Sequence, residues 1–289
     1  MILLTAPIFL QFILYADDTN ILYSGKDTNT LFETLNIELS NVSEWLIANK
    51  LSVNLKKTNY LIFKSRQRKF PRGQYVKINN QIIEQKSSIK FLGVFIDENL
   101  NWKEHINIIA NKISKSIGII YKSKFYLSQA SLFKLYYSLI YPYLYYGNLA
   151  WGGTYQTTLD RLCVLQKRIV RIITKSQPYA HTAPLFQQYK LLNIANIHLL
   201  KTGLFMFAFN KKLLPESFHT MFQKSSDIHN YSTRQANKLR SHKCRINIRK
   251  FTIAYQGPIF WNSLPVQLKS KAFLNSFRRH LKDHLIQST

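Results

Sequence analysis

The spacing of apolar residues changes near Trp102, and a segment patterned for strands will not settle as a helix, nor the reverse. Up to that point the apolar residues alternate or come in short runs: Leu10 to Tyr15, Ile21 to Tyr23, Leu51 to Leu55, Asn59 to Phe63, Tyr75 to Ile83 and Ile89 to Ile96. These read as strands and hairpins. One helix interrupts them, because Thr30 and Glu33 have the spacing of a capping box and Leu31, Leu35, Leu39, Val42 and Leu46 recur at steps of three or four. After Trp102 the helical period takes over. Ile106, Ile109, Ile113, Ile117 and Ile120 mark one helix, Leu132, Leu135 and Leu139 a second that ends near Pro142, and Leu159, Leu162, Leu165, Ile169 and Ile172 a third. Residues 190–222 continue helical and aromatic, and a basic helix from Phe273 to Ile286 closes the chain. The expected class is α+β, with a partial mixed sheet and its packed helix first and a mainly helical part after, divided as 1–101, 102–222 and 223–289. At 289 residues, 46% of them hydrophobic and 19% charged, the chain can bury such cores and is no disordered polyelectrolyte.

The charge is unevenly placed. Residues 1–104 hold thirteen Lys or Arg and ten acids, a net of +3, whereas residues 105–289 hold twenty-seven and four, a net of +23. That excess is well beyond the net magnitude of roughly 2 to 8 suited to a small soluble domain, and it asks for a polyanion, the plainer alternative being charge that serves solubility alone. On the third helix Arg161, Arg168 and Lys175 are seven apart with Arg171 between them, so these cations share a face opposite the leucines. Like charges at that spacing repel in isolation and pair on a phosphate backbone. Two further basic segments stand out: Lys64 to Gly73, with Arg66, Arg68, Lys69 and Arg72, reads as a solvated loop, and Ser225 to Lys250, which includes Arg234, as a polar stretch with little core of its own. Cys163 and Cys244 lie in no zinc spacing and are too few for a disulfide framework. The uncharged run Leu135 to Leu159 is long enough to span a bilayer, but Pro142, Gly147, Asn148, Gly152 and Gly153 make it a poor lipid-facing helix. The apolar opening has no basic start and is broken by Pro7 and Gln11, so it reads as strand rather than signal peptide. No stable membrane association or secretion is expected.

Tyr15-Ala16-Asp17-Asp18, set between two apolar runs, is the sharpest chemical feature. A strand-turn-strand would bring two adjacent carboxylates to one tip, a costly arrangement unless a cation neutralises them. Hard divalent ions take carboxylate and phosphate oxygens as ligands, and two of them can clamp the oxygens exchanged in phosphoryl transfer. The dipeptide alone is equally an Asp-Asp turn that breaks a strand.

Context decides between these. Phe12-Ile-Leu-Tyr-Ala-Asp-Asp-Thr19 resembles the catalytic hairpin of reverse transcriptases, and Lys50-Leu-Ser-Val-Asn54-Leu-Lys-Lys57-Thr58 followed by Leu61-Ile-Phe63 is similar to their next motif. Lys90-Phe-Leu-Gly93-Val94 with Leu100-Asn-Trp102 resembles the hairpin that grips the primer. With the closing Gly257-Pro258, Trp261-Asn262 and Leu264-Pro265 pattern, the order resembles the polymerase protein of non-LTR retrotransposons, of the jockey-like LINE type. The resemblance implies a partial polymerase palm, then a helical thumb and a basic C-terminal region. It implies that Asp17 and Asp18 hold catalytic magnesium, or manganese, with Tyr15 and Ala16 beside the primer end. Lys57 would lie near the incoming nucleotide's phosphates as proton donor to pyrophosphate, with Asn54 and Thr58 shaping its strand, and its alternative is a solvent-facing strand lysine. Gly93 would let the backbone approach the primer, and its alternative is an ordinary hairpin glycine. Arg161, Arg168, Arg171 and Lys175 would hold nucleic acid.

In the same family another carboxylate, on an earlier palm strand, completes the metal site, and only sixteen residues precede Asp17. Asp27 and Glu33 belong to the loop and helix after the hairpin and offer no substitute. The resemblance therefore implies a truncated RNA-directed DNA polymerase, weak or inactive as it stands, with an RNA template, a DNA primer or RNA–DNA duplex, and an upstream polymerase fragment as partners. The alternative is a non-catalytic nucleic-acid-binding remnant. Either would act inside the cell, in nucleus or cytoplasm.

Overall fold

The computed structural model describes residues 10–65, 73–227, 238–241 and 243–287. The chain forms two compact units, one reaching to Leu100 and one beginning at Asn101. Arg66, Arg68, Lys69, Arg72 and Arg234, and the opening up to residue 9, lie outside the described residues.

The smaller unit is built on helix α1 (Thr28–Ala48) and four two-stranded sheets. β1 (Gln11–Tyr15) pairs antiparallel with β2 (Asp18–Leu22); β3 (Asn59–Tyr60) pairs parallel with β6 (Glu84–Gln85); β4 (Lys77–Ile78) and β5 (Gln81–Ile82) form one hairpin, and β7 (Ser88–Phe91) with β8 (Val94–Asp97) another. The expected mixed sheet is thus divided into four short pieces. One reason is local. The Leu51–Leu55 alternation does not become a strand, because the Asn54 carbonyl accepts from the Lys57 and Thr58 N–H groups at 3.0 Å and from the Thr58 hydroxyl at 2.9 Å. Backbone groups used in a turn are lost to a ladder. The core of this unit joins Phe32 and Leu39 of α1 to Val76, Ile78 and Ile83, with Leu31, Leu35 and Tyr60 against them. Asn36 adds a polar stitch, donating to the Tyr75 carbonyl at 3.0 Å and accepting from the Lys77 N–H at 2.8 Å.

The start of α1 differs from the capping box read at Thr30. Asp27 is the N-cap, its carboxylate accepting from the Thr30 N–H at 2.9 Å. That backbone hydrogen bond holds the Asp27 carboxyl below its ordinary 3.8. A depressed carboxyl stabilises the fold above its unfolded value, and the contribution is lost as pH falls through the lower folded value. Asp27→Ala is expected to lower the thermal midpoint of α1 by circular dichroism at pH 7, with Asp27→Asn, which keeps an accepting oxygen, near the parent.

The larger unit is helical: α2 (Lys103–Ser123), α3 (Gln129–Leu139), α4 (Tyr141–Tyr145), α5 (Asn148–Trp151), α6 (Gln156–Ile173), α7 (Ala183–Gln188), α8 (Ile194–Asn210), α9 (Asn247–Lys250), α10 (Ile253–Ser263), α11 (Val266–Lys269) and α12 (Leu274–Gln287). The five isoleucines read as one face of α2 are all buried, against α6 and α3. α8 is apolar over most of its surface and lies among α4, α5, α6, α10 and α12. Gly257 explains part of the closing pattern, since a Cβ there would stand 2.6 Å from the Met206 sulfur of α8. Trp261 is buried on Phe277, which stacks on Phe207 at 4.5 Å. Asn262 accepts from the Leu239 N–H at 3.1 Å and donates to its carbonyl at 2.8 Å. The basic segment after Ser225 therefore does reach the core, through a Leu239 only 4% exposed. Among the described residues no helix is long and apolar enough to cross a membrane.

Two histidines give this unit an acid limit. Burial pushes His105, packed on Trp151, down to about 4, and holds His198, between Asn148 and Gln256, below its ordinary 6.5. Below pH 6.5 the unfolded chain takes up protons that the folded unit refuses, so stability falls with falling pH. Between pH 7.5 and 5.5 the urea midpoint should drop, His105 contributing the equivalent of about 1 kcal/mol and His198 adding in the same direction; a constant midpoint would contradict this.

Candidate nucleic-acid and metal site

The two carboxylates lie where the sequence places them, at the tip of a hairpin. Tyr15 pairs with Asp18 as the last rung of β1 and β2, and Ala16 and Asp17 make the two-residue turn. So tight a connection needs a positive φ, and Ala16 supplies it at 48°, a conformation that costs an alanine about 1–2 kcal/mol. Tyr15, Asp17 and Asp18 are exposed, as are Phe12, Ile13 and Leu14 on the strand behind them. Magnesium is commonly held by one or two carboxylates, its remaining positions filled by water and substrate phosphate. Asp17 and Asp18 fit as such a pair: hard oxygens, adjacent and open. Among the described residues no third His, Cys, Asp or Glu gathers with them.

Lys57 lies elsewhere in the same unit, exposed on the Leu55–Lys57 turn rather than on a strand. Gly93 forms the turn between β7 and β8 with Leu92, at φ 84° and 44°. Two successive positive φ values are the signature of the tightest hairpin turn, so the conformation alone accounts for glycine here.

The four cations read on one helix face do not act together. The Arg161 guanidinium donates to Asn107 Oδ1 at 2.9 Å and Asn111 Oδ1 at 2.7 Å, which ties α6 to α2. Arg168, Arg171 and Lys175 line a cleft of about 770 Å³ at the other end of the same helix pair. Arg171 Nε donates to the Ala180 carbonyl at 2.8 Å, whereas Arg168 and Lys175 have no carboxylate partner among the described residues. The opposite wall is Tyr121, Lys124 and Phe125 at the end of α2. Sequence reading missed these three. Their signal was an exposed aromatic pair at i and i+4, off the isoleucine face, with a lysine between. Cys163, half-buried nearby on α6, is held above its ordinary thiol value by burial, and so kept as an unreactive thiol.

Comparison with known proteins agrees with the hairpin. Residues 4–96, the stretch that carries the paired aspartates, match the family described as reverse transcriptase (RNA-dependent DNA polymerase). More particularly, the chain is similar to polymerases of non-LTR retrotransposons. It is 23% identical over 183 residues to the probable RNA-directed DNA polymerase from transposon X-element of Drosophila melanogaster, a stretch covering 62% of this chain and 20% of that protein. It is 25% identical over 182 residues to the RNA-directed DNA polymerase from mobile element jockey of the same organism, covering 61% and 19%. A third, the probable RNA-directed DNA polymerase from transposon BS, is 25% identical over 180 residues, covering 61% and 20%. The chain thus spans about a fifth of the length of the curated relatives it matches. No solved structure matches it significantly.

The clamp and the cleft make separable predictions. Arg161→Ala should lower the thermal midpoint of the larger unit by the equivalent of about 1 kcal/mol, the worth of an exposed charged hydrogen-bond pair, while Arg168→Ala leaves that midpoint within error. Equal shifts would deny Arg161 its structural role.

Proposed function

We propose that this chain serves an RNA-directed DNA polymerase of a non-LTR retrotransposon, with the smaller unit as part of the palm and the larger as thumb and basic C-terminal region. The observation that carries the reading is the hairpin: adjacent, exposed carboxylates at the tip of β1 and β2, inside the segment that matches the reverse transcriptase family. Asp17 and Asp18 would hold divalent magnesium, with manganese as substitute. Bound there, such an ion neutralises phosphate charge and favours attack by a primer hydroxyl. The residues of the chain have their own parts. Tyr15 and Ala16 would present the tip to the growing primer end, and the tight turn at Ala16 and Asp17 keeps both aspartates at that tip. Lys57 Nζ would meet the leaving diphosphate and give it a proton. Gly93 would leave room for the primer backbone beside its turn. Arg168 and Lys175, helped by Arg171, would hold the phosphates of template and primer, while Arg161 fixes the helix that carries them. A carboxylate from an earlier palm strand, contributed by further polymerase sequence, would complete the ion's protein ligands.

A second reading is favoured by a separate observation. The cleft in the larger unit carries its cations independently of the hairpin, so the chain would bind nucleic acid even without catalysis.

Primer extension on an RNA template, with magnesium or manganese, separates the two. The first reading expects slow extension by the 289-residue chain that the Asp17→Asn, Asp18→Asn double variant loses by about a hundredfold or more, with salt-dependent binding kept. Equal extension by parent and variant would remove the aspartates from the chemistry. No extension by either, with binding kept, leaves the second reading.

A further inference from the structure

The cleft between the ends of α2 and α6 has a composition that duplex binding does not explain. Phosphate contacts need hydrogen-bond donors and positive charge and make no use of a ring face, yet Phe125 is 69% exposed and Tyr121 47%. The two rings meet edge to face, 6.1 Å apart. Lys124 Nζ lies over both, 4.3 Å from the Tyr121 centroid and 5.1 Å from that of Phe125. Across from them stand Arg168, Arg171 and Lys175. Among the described residues no carboxylate lines the cleft. Its volume, about 770 Å³, falls within the range of about 300–1,000 Å³ that small ligands fill.

We propose that this cleft takes an unpaired nucleotide of a single strand, its base stacked on Phe125 with Tyr121 beside it edge-on, and its flanking phosphates held by Arg168 and Lys175. The inference rests on the nucleic-acid reading above and narrows it from duplex to single strand. A duplex keeps its base faces stacked on one another and offers only its edges and backbone, so it would leave both rings in water. An unstacked base supplies the missing face, and such stacking tolerates any sequence. The lysine over the rings acts as a placeholder: an entering base displaces it, and its ammonium then turns to a phosphate. Arg168 outranks Lys175 as the phosphate anchor, because Lys175 follows the end of α6 and part of its charge offsets the negative helix terminus. An acidic peptide would satisfy the cations and leave the aromatic wall uncovered.

The test uses the full chain and fluorescence anisotropy, with four probes: a short labelled oligouridylate, an abasic strand of the same length and charge, a short RNA–DNA hybrid, and polyglutamate as competitor. The abasic strand keeps every phosphate and removes every base. The expected result is a preference of about tenfold for the strand with bases, the size of one aromatic stack. Phe125→Ala should abolish that preference and leave hybrid binding unchanged, while Arg168→Ala weakens both strands alike. Both residues are exposed, and the thermal midpoint of each variant verifies its fold. Salt-dependent binding that ignores the bases, or a Phe125→Ala loss shared by all three nucleic acids, overturns the single-strand inference and leaves nucleic-acid binding intact. Displacement by polyglutamate as effective as by oligouridylate assigns the cleft to acidic peptide and overturns it as well. No salt-dependent binding of any nucleic acid overturns the underlying reading.

Discussion

The larger unit depends on how closely helices can approach α8. That helix has no continuous polar face to give to water, so it is stable only when neighbours cover most of its surface. α10 and α12 do much of this, through the stacked Phe207 and Phe277 and the contact at Gly257 where any side chain would strike Met206. From there the constraint spreads outward. Trp261 fills the next layer, and Asn262, on the following position, grips both backbone groups of Leu239. A pattern that in the sequence looked like a family signature is therefore scaffold, and the glycine, tryptophan and asparagine each answer a steric or hydrogen-bonding demand.

Tight apolar packing must also offset electrostatic self-repulsion. From residue 105 onward the chain carries a net charge of +23, and the ion pair among the described residues, Lys86 with Glu84, belongs to the other unit. Several cations are instead housed on aromatic faces, as Lys201 on Tyr145 and Lys112 on Tyr143, or on amide oxygens, as Arg161. Those left over mark the surface where an external anion lowers the free energy most.

How much of this the sequence told depended on range. α2 was legible because a single period of isoleucines leaves no second choice of face. α6 was legible in position and less so in detail: Gln166 is buried, since Tyr136 and the Leu192 carbonyl accept from its amide, while Ile172 turns to the cleft. The paired aspartates were legible through their neighbours, two apolar runs of hairpin length. What the sequence did not show was set by single local hydrogen bonds, such as Asp27 capping ahead of Thr30 and Asn54 closing a turn where alternation suggested a strand. The cleft was beyond sequence reading for a different reason. Its two walls lie about forty residues apart, and neither side announces the other.

The clamp at Arg161 sets the terms on which that cleft meets its surroundings. One guanidinium fastened to two amides on the neighbouring helix resists rotation of α6 about its own axis, so the angular offset between Arg168 and the aromatic wall is fixed two helical turns away from it. Asn107 and Asn111 are neutral. Had they been aspartates, counterions would loosen the frame and the grip together. With amides, the clamp offers dissolved cations no carboxylate to pair with, and salt competes chiefly for the phosphate contacts.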